Sequence, residues 1–372
     1  MLQELRIPKD FLATFKATEK LRQGADPAAI YDPKDPEAYQ FSPGLLAVSK
    51  LLPRNAYQAW FWFSTMNLLL FAIALMWATS YSTHRSVFLL LVGLLMGWKG
   101  IIETLDNGQP ELFIFGLGLC AAALLGRLTF ISGFIAGLMP WIKGPWILMS
   151  LPFFTAATRR TERRGQQFFS GYLAGSFAFG AAIPSIVLGS ERARDLSRGW
   201  VDLIKYQSAN LFNSSLNQSV WASAPRWLTE YPVLSLGLAS LFLGMLLGIL
   251  MVQASDHGYF RKTSPIAWVS PWFLFIQLMS PLGWRWGSVF MIGAPLAAES
   301  RTTHAAHEQG HSSMSWAWWG KRRWYLVFAL SVLFLLQQNP LTEFLGFGHW
   351  TELHGSGIVT AYWLIGLVLC TL

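Results

Sequence analysis

Five short polar stretches of this chain carry residue types that could do chemistry. Asp10 opens "DFLATFKATEKLRQG" (10–24). Its carboxylate could take the proton of an attacking hydroxyl. It could equally cap a helix that Gly24 closes, and a capping carboxylate stays ionised and is a weaker base for it. Asn107 and Gln109, in "DNGQ" (106–109), offer amide donors and acceptors suited to a hydroxyl-rich ligand such as a sugar. The plainer reading is an interhelical Asn-Gly turn, which Gly108 makes easy. Asp106 beside them is a spare acid. Lys143 in "PWIKGP" and Arg285 in "SPLGWRW" are isolated cations at the ends of apolar segments. A charge there is costly unless it is paired or snorkels to headgroups, and a lipid phosphate is a natural partner. Asn217 and Gln218, in "SLNQS" (215–219), add further amides. Asn213 and Asn217 each head an N-x-S sequon, read here as loop or site polar groups rather than glycan acceptors. A rival motif is "HEQGH" (307–311), which on a helix would give two zinc ligands and a Glu base, as in a zinc-dependent membrane protease. Its Ser-rich surroundings and Gly310 argue against that use, and no metal site is expected.

These residues need elements to hold them, and the composition says which kind. Of the 372 residues 53% are hydrophobic and 13% charged, half the charged fraction of an ordinary soluble domain. Apolar stretches recur along most of the length, so the expected fold is all-α, a polytopic integral membrane protein. Eleven segments are expected, at 57–80, 86–103, 110–126, 128–141, 144–157, 166–189, 233–254, 264–281, 285–299, 322–338 and 354–372. Those at 128–141 and 144–157 are short and broken by "PWIKGP", which suggests tilted, kinked or re-entrant helices. Residues 1–56 form a polar, Pro-rich head, 57–372 a transmembrane domain, and 190–232 a long outer loop. The net charge of +8 comes without any nucleic-acid-binding motif, and no nucleic-acid partner is expected. Two cysteines, both in apolar runs, allow no disulfide framework or Cys-x-x-Cys site.

Placing the head outside gives the inner stretches twelve Lys/Arg against four acids, "RRTERR" (159–164) foremost. The positive-inside rule favours this orientation. The head, "DNGQ", "WIKG", 190–232 and "SPLGWRW" then converge on the outer face, as the parts of an extracytoplasmic active site would. The stretch from Phe11 to Arg22 is expected to lie in the interface plane, with Lys16, Lys20 and Arg22 available to headgroups.

The stretches "DFLATFKATEKLRQGADPAAIYDP", "YQFSPGLLAVSKLLP", "AWFWFSTMNLLL", "DNGQPELFIFGL", "WIKGPWIL", "SLNQSVWA" and "MSPLGWRWGSVFMIGAPLAA" occur in that order from residue 10 to about 298. In order and spacing the chain resembles glycosyltransferase family 87, the polyprenyl-phosphate-mannose-dependent mannosyltransferase-like group of the C-type superfamily. The resemblance implies a hexosyltransferase. It would move a hexose, typically mannose, from a polyprenyl-phosphate donor to a lipid or glycan acceptor on the extracytoplasmic face of a bacterial inner membrane. It implies Asp10 as general base in an inverting single displacement. Asn107, Gln109, Asn217 and Gln218 would be substrate contacts, and Lys143 and Arg285 would hold donor phosphate. No cofactor beyond the lipid-linked donor is expected; membrane lipids are the other partners. Two departures stand out. Family members carry a span before the "DF" loop, whereas nine residues precede Asp10, so either the sequence starts late or the first family helix is missing. Family sequences often place a His shortly after the Trp where Arg285 and Trp286 follow Trp284. The competing class is a transporter or lipid flippase, disfavoured because the charges gather at segment ends rather than mid-span and no internal repeat is evident.

Overall fold

The computed structural model describes residues 7–32, 39, 41–79, 93–94, 97, 100–211, 265–279 and 292. These are largely helical, with no strand among the described residues. The segments expected at 233–254, 322–338 and 354–372 lie outside the described residues; of 285–299 only residue 292 is described, and of 86–103 residues 93, 94, 97 and 100–103. The chain divides into two compact units. The first comprises Met1–Leu75, Ile102–Phe153 and Arg163–Asn210, and holds every described candidate site residue. The second comprises Met76–Ile101, Phe154–Glu162 and Leu211–Leu372; its helix Pro265–Met279 is buried wherever its side chains are described.

The described part of the head is built from three helices. Helix α1 (Lys9–Arg22) ends in a Schellman turn: Gly24 adopts φ +82°, its N–H bonds the Leu21 carbonyl, and the Ala25 N–H bonds the Lys20 carbonyl at 2.9 Å. The one-turn α2 (Pro27–Ile30) follows, and α3 (Pro43–Ser49) starts with Ser42 as cap and Pro43 inside the first turn. Arg22 and Lys20, expected to face headgroups, are engaged within the head. Arg22 donates to the Lys50 and Leu52 carbonyls and pairs with Glu19, while Lys20 donates to the Ala29 carbonyl at 2.9 Å. The Thr18 and Ser49 hydroxyls share a 2.6 Å hydrogen bond that ties α1 to α3. So α1 is a packed helix whose buried face is Phe11, Thr14, Ala17, Thr18 and Leu21.

The apolar helices follow. Helix α4 (Ala56–Thr79) has 24 residues, about 36 Å at 1.5 Å each, enough for a hydrocarbon core of about 30 Å. Helix α5 is described over 100–107. Helices α6 (Glu111–Leu124) and α7 (Thr129–Ile142) form an antiparallel hairpin, tied by the Ser132 hydroxyl on the Ala121 carbonyl at 2.7 Å. The segment expected at 144–157 is a 3-10 helix (Gly144–Met149) running directly into α8 (Ser150–Arg160). Next, α9 (Glu162–Phe177) continues through a π turn (Ala178–Ala182) into α10 (Ile183–Leu188), 27 residues in one apolar helix. This helix and Ala56–Met76 are, among the described residues, the two long and apolar enough to cross a membrane.

Helices α7 and α9 meet backbone to backbone. A Cβ on Gly133, Gly137, Gly171 or Gly175 would fall within 2.3 Å of a carbonyl oxygen of the facing helix. Two Gly-x-x-x-Gly pairs facing each other therefore set the crossing, as small residues do where lipid provides no hydrophobic drive between helices. The register runs Gly133 to Phe168, Gly137 to Tyr172 and Trp141 to Gly180, so the two helices are parallel. Parallel running brings Arg127, just before α7, to the same end as Arg163 and Arg164 in the first turn of α9. The opposite end carries the head, since a Cβ on Gly44 of α3 would meet the Phe179 carbonyl in the π turn.

The first half of the expected loop 190–232 is a helix, α11 (Ser190–Leu211). Ala193, Leu196, Trp200 and Leu203 recur at helical spacing and form one face. Leu196, Trp200 and Leu203 of that face share a hydrophobic core with Leu21, Tyr31, Tyr39, Phe41 and Leu46 of the head. Burial in this core raises the Tyr31 and Tyr39 hydroxyl pKa values well above the usual tyrosine range. Arg192 adds a hydrogen bond to the Ala25 carbonyl.

Candidate functional site

The hairpin of α6 and α7 explains the charges at the head end. Antiparallel packing sets the N-terminus of α6 beside the C-terminus of α7. A carboxylate is favoured at the first and a cation at the second, because the exposed N–H and C=O groups leave partial charges there. Glu111 is the first residue of α6 and Lys143 the C-cap of α7, and the two side chains form an ion pair. The Glu111 side chain is 0% exposed and that of Lys143 22%. The isolated cation expected at 143 thus has a counterion within the protein.

Asp10 enters this cluster from the head. Its expected role as N-cap of α1 does not hold: Pro8 occupies that position and no side chain caps the helix. Pro8 fixes its own φ and lends its carbonyl to the Leu12 N–H, so α1 starts without help from Asp10. One turn position further in, the Asp10 carboxylate accepts a hydrogen bond from the Gln109 amide. Burial raises the pKa of Asp10 above its ordinary value. The Gln109 hydrogen bond and the Lys143 charge pull it back, Glu111 pushes it up, and Lys9 lowers it slightly. This reverses the ionised, weakly basic aspartate that capping would have given.

"DNGQ" is the part that seats α1. Gly108 has φ +69°, and a Cβ there would stand 2.5 Å from the Phe11 Cβ and 3.0 Å from the Phe11 N. Only a glycine allows both the left-handed turn and the approach of α1. Phe11 is itself 0% exposed and packs on Phe63 of α4 at 5.3 Å between ring centroids. The turn therefore holds α1 where Asp10 reaches Gln109, one residue beyond Gly108. Asn107 does not join the cluster: its amide donates to the Glu103 carbonyl, one turn back in its own helix, at 2.7 Å. Asp106 is exposed. Asn67 of α4 is buried and accepts from the Phe113 N–H at 3.1 Å, which anchors the first turn of α6.

Of the expected site residues, the structure thus unites Asp10, Gln109 and Lys143 and sets Asn107 apart. Asn217, Gln218, Arg285 and the HEQGH stretch lie outside the described residues. Glu111 was missed. Its signal was available: a single acid, just after Pro110, opening a run of apolar residues, is costly unless it is partnered. Among the described residues no three His, Cys, Asp or Glu side chains gather as metal ligands would. Chemically the cluster can hold a half-buried carboxylate of raised basicity, oriented by an amide, beside a partly buried ion pair.

No curated protein and no solved structure matches the chain. A family model does, over residues 41–281, more than half of the chain. The matched interval starts after Asp10, later than the stretches that carry the likeness in the sequence, and includes Gln109, Glu111 and Lys143. On that match the chain belongs to glycosyltransferase family 87, a family of membrane glycosyltransferases.

Proposed function

We propose that this glycosyltransferase moves a hexose, mannose first, from a polyprenyl-phosphate carrier to a lipid or glycan acceptor on the extracytoplasmic face of a bacterial inner membrane. One observation carries the reading: Asp10, a carboxylate made more basic by burial, is oriented by Gln109 in the first turn of a helix seated on the transmembrane unit. An acceptor hydroxyl loses its proton as it attacks the anomeric carbon, and Asp10 takes that proton. The C–O bond to the donor phosphate breaks as the new glycosidic bond forms, so the polyprenyl phosphate leaves with the electron pair and the anomeric centre inverts. A single displacement needs one base and no covalent enzyme intermediate.

Gln109 orients Asp10 through one amide N–H and keeps its carbonyl oxygen and second N–H for the sugar or acceptor. Glu111 takes one of the three N–H bonds of Lys143, which leaves at most two for donor phosphate. Arg285, Asn217 and Gln218 complete the proposed contacts, with no cofactor and no metal. The grouping of Arg127, Arg163 and Arg164 at the end away from the head supports an extracytoplasmic site.

Asp10→Asn tests the reading. The amide keeps the size but takes no proton, so turnover with a polyprenyl-phosphate hexose is expected to fall about 10²–10⁴-fold while donor binding stays. Radiolabelled mannose and glucose donors, compared side by side in proteoliposomes, identify the sugar. Donor uptake without transfer would favour a flippase instead, and wild-type turnover by Asp10→Asn would remove the base from this position.

A further inference from the structure

Resting on Asp10 as the base, we propose that Glu111 is a positioning residue for the transfer: by binding the Lys143 ammonium at the mouth of the α6–α7 hairpin, it withholds that cation from the Asp10 carboxylate.

The geometry sets up a competition. Gln109 and Glu111 flank Pro110, so the amide that binds Asp10 and the carboxylate that binds Lys143 leave the chain two residues apart. Pro110 restricts the backbone between them. Lys143 acts on Asp10 electrostatically, and so does Glu111, in the opposite sense. Among the described residues Lys9, exposed on α1, is the other charge that acts on Asp10, more weakly than either. Two carboxylates thus share the neighbourhood of one lysine. Glu111 has the stronger claim on it. It is fully buried, where leaving a charge without a partner is severe, and it sits at the helix end opposite the α7 C-cap. Asp10 is half-buried and already has the neutral Gln109 amide.

The consequence is chemical. A carboxylate in contact with an ammonium loses basicity, typically by about 1–3 pKa units. A base locked in such a pair also loses a lone pair that the acceptor hydroxyl requires. With the ammonium held by Glu111, Asp10 keeps an oxygen for the hydroxyl. The stretch Gln109-Pro110-Glu111 therefore has two tasks: one residue aims the base and the other keeps it unpaired.

The test uses the full-length protein in proteoliposomes and follows kcat/KM for hexose transfer against pH. Glu111→Gln keeps the shape and releases Lys143. The acid limb should move down by about one pH unit, and kcat should fall by no more than about tenfold, since proton transfer recovers only part of a change in basicity. Lys143→Gln should move the limb the other way. The double variant Glu111→Gln/Lys143→Gln should bring the limb back towards wild type, whatever the loss of the Lys143 phosphate contact does to kcat, and Glu111→Asp should keep it in place. A merely structural ion pair predicts loss of folded protein with no movement of the limb in either single variant; that result overturns the inference. If Glu111→Gln does not fold, Lys143→Gln and the double variant carry the test, and an unmoved limb in Lys143→Gln overturns it. Asp10→Asn, assayed in parallel, separates the two levels. An inactive Asp10→Asn with an unmoved limb in the other variants defeats the role of Glu111 alone, whereas an active Asp10→Asn defeats the base assignment and this inference with it.

Discussion

Replacing Gly108 with alanine should detach Asp10 from its setting without touching any group that meets substrate. The new Cβ would stand 2.5 Å from the Phe11 Cβ, where carbon atoms in good contact keep about 3.5 Å or more. Either α1 retreats by about 1 Å at Phe11 or the turn at 108 opens. Asp10 is the neighbour of Phe11, so it moves with α1. The φ of +69° adds about 1–2 kcal/mol for a residue with a side chain, and the overlap adds about 1–3 kcal/mol. The expected destabilisation is about 2–5 kcal/mol, read as a fall in the thermal unfolding midpoint of protein in detergent. A misplacement of about 1 Å at a reacting group is worth about a hundredfold in rate, so kcat should fall by that order while donor binding holds. Gly24→Ala separates strain from displacement. Gly24 has φ +82° and nothing within 4 Å of its would-be Cβ, so it should lose the 1–2 kcal/mol or so of the left-handed turn and keep its kcat. Equal kcat for both variants would refute the claim that the Gly108–Phe11 contact places the base.

Three further outcomes follow from the same geometry. Because burial raises the Asp10 pKa, the folded protein holds that proton where the unfolded chain has released it. The stability it contributes is present below the ordinary carboxylate pKa and is lost as pH rises through the raised value. Unfolding measured across that window should show a downward slope with pH that Asp10→Asn abolishes, and the acid limb of kcat/KM should lie above the usual aspartate value. Gly171→Leu would drive a side chain into the Phe130 carbonyl, 2.0 Å from the Cβ position, and should prevent the α7–α9 crossing; Gly144→Ala, with open space, should be tolerated, as fluorescence size-exclusion profiles would show. With the native cysteines replaced, Arg198→Cys on α11 should react with an impermeant maleimide in intact cells, and Arg127→Cys should not; the reverse pattern would invert the proposed orientation.

How legible the fold was depended on how local each signal is. Helix α4 and the long helix Glu162–Leu188 announce themselves by length and apolarity. The end of α1 was equally plain, because Gly24 punctuates a helix by its own conformational freedom. The start of α1 was misread because Asp10, an excellent cap by type, is drawn to Gln109, 99 residues away. No propensity contains that attraction. Helix α11 was taken for loop on its polar composition, though Ala193, Leu196, Trp200 and Leu203 spell a helical stripe whose purpose appears only with the head packed on it. Lys143 was read as an isolated charge in need of a lipid because its partner lies 32 residues earlier, in another helix.

Yet the Glu111–Lys143 pair was within reach of the sequence. Each residue stands sixteen positions from Arg127, in the turn of the hairpin. Helices α6 and α7 have 14 residues each, so an antiparallel return brings positions equally distant from the turn to the same height. An acid just after Pro110 and a base in "PWIKGP" both sit at breaks in apolar runs. Two such breaks, symmetric about a charged turn, place opposite charges level with each other at one end of a hairpin. There each charge also suits the helix end it occupies. From that symmetry the ion pair follows before any coordinates do, and with it a fixed charge beside "DNGQ". What symmetry within the hairpin does not reach is the helix that docks across it. The docking of α1 depends on Gly108 having no side chain and on Phe11 filling the space beside Phe63. The charges of the site are thus written in the spacing of two helices. The position of its base is written in a contact between one glycine and one phenylalanine far apart in the chain.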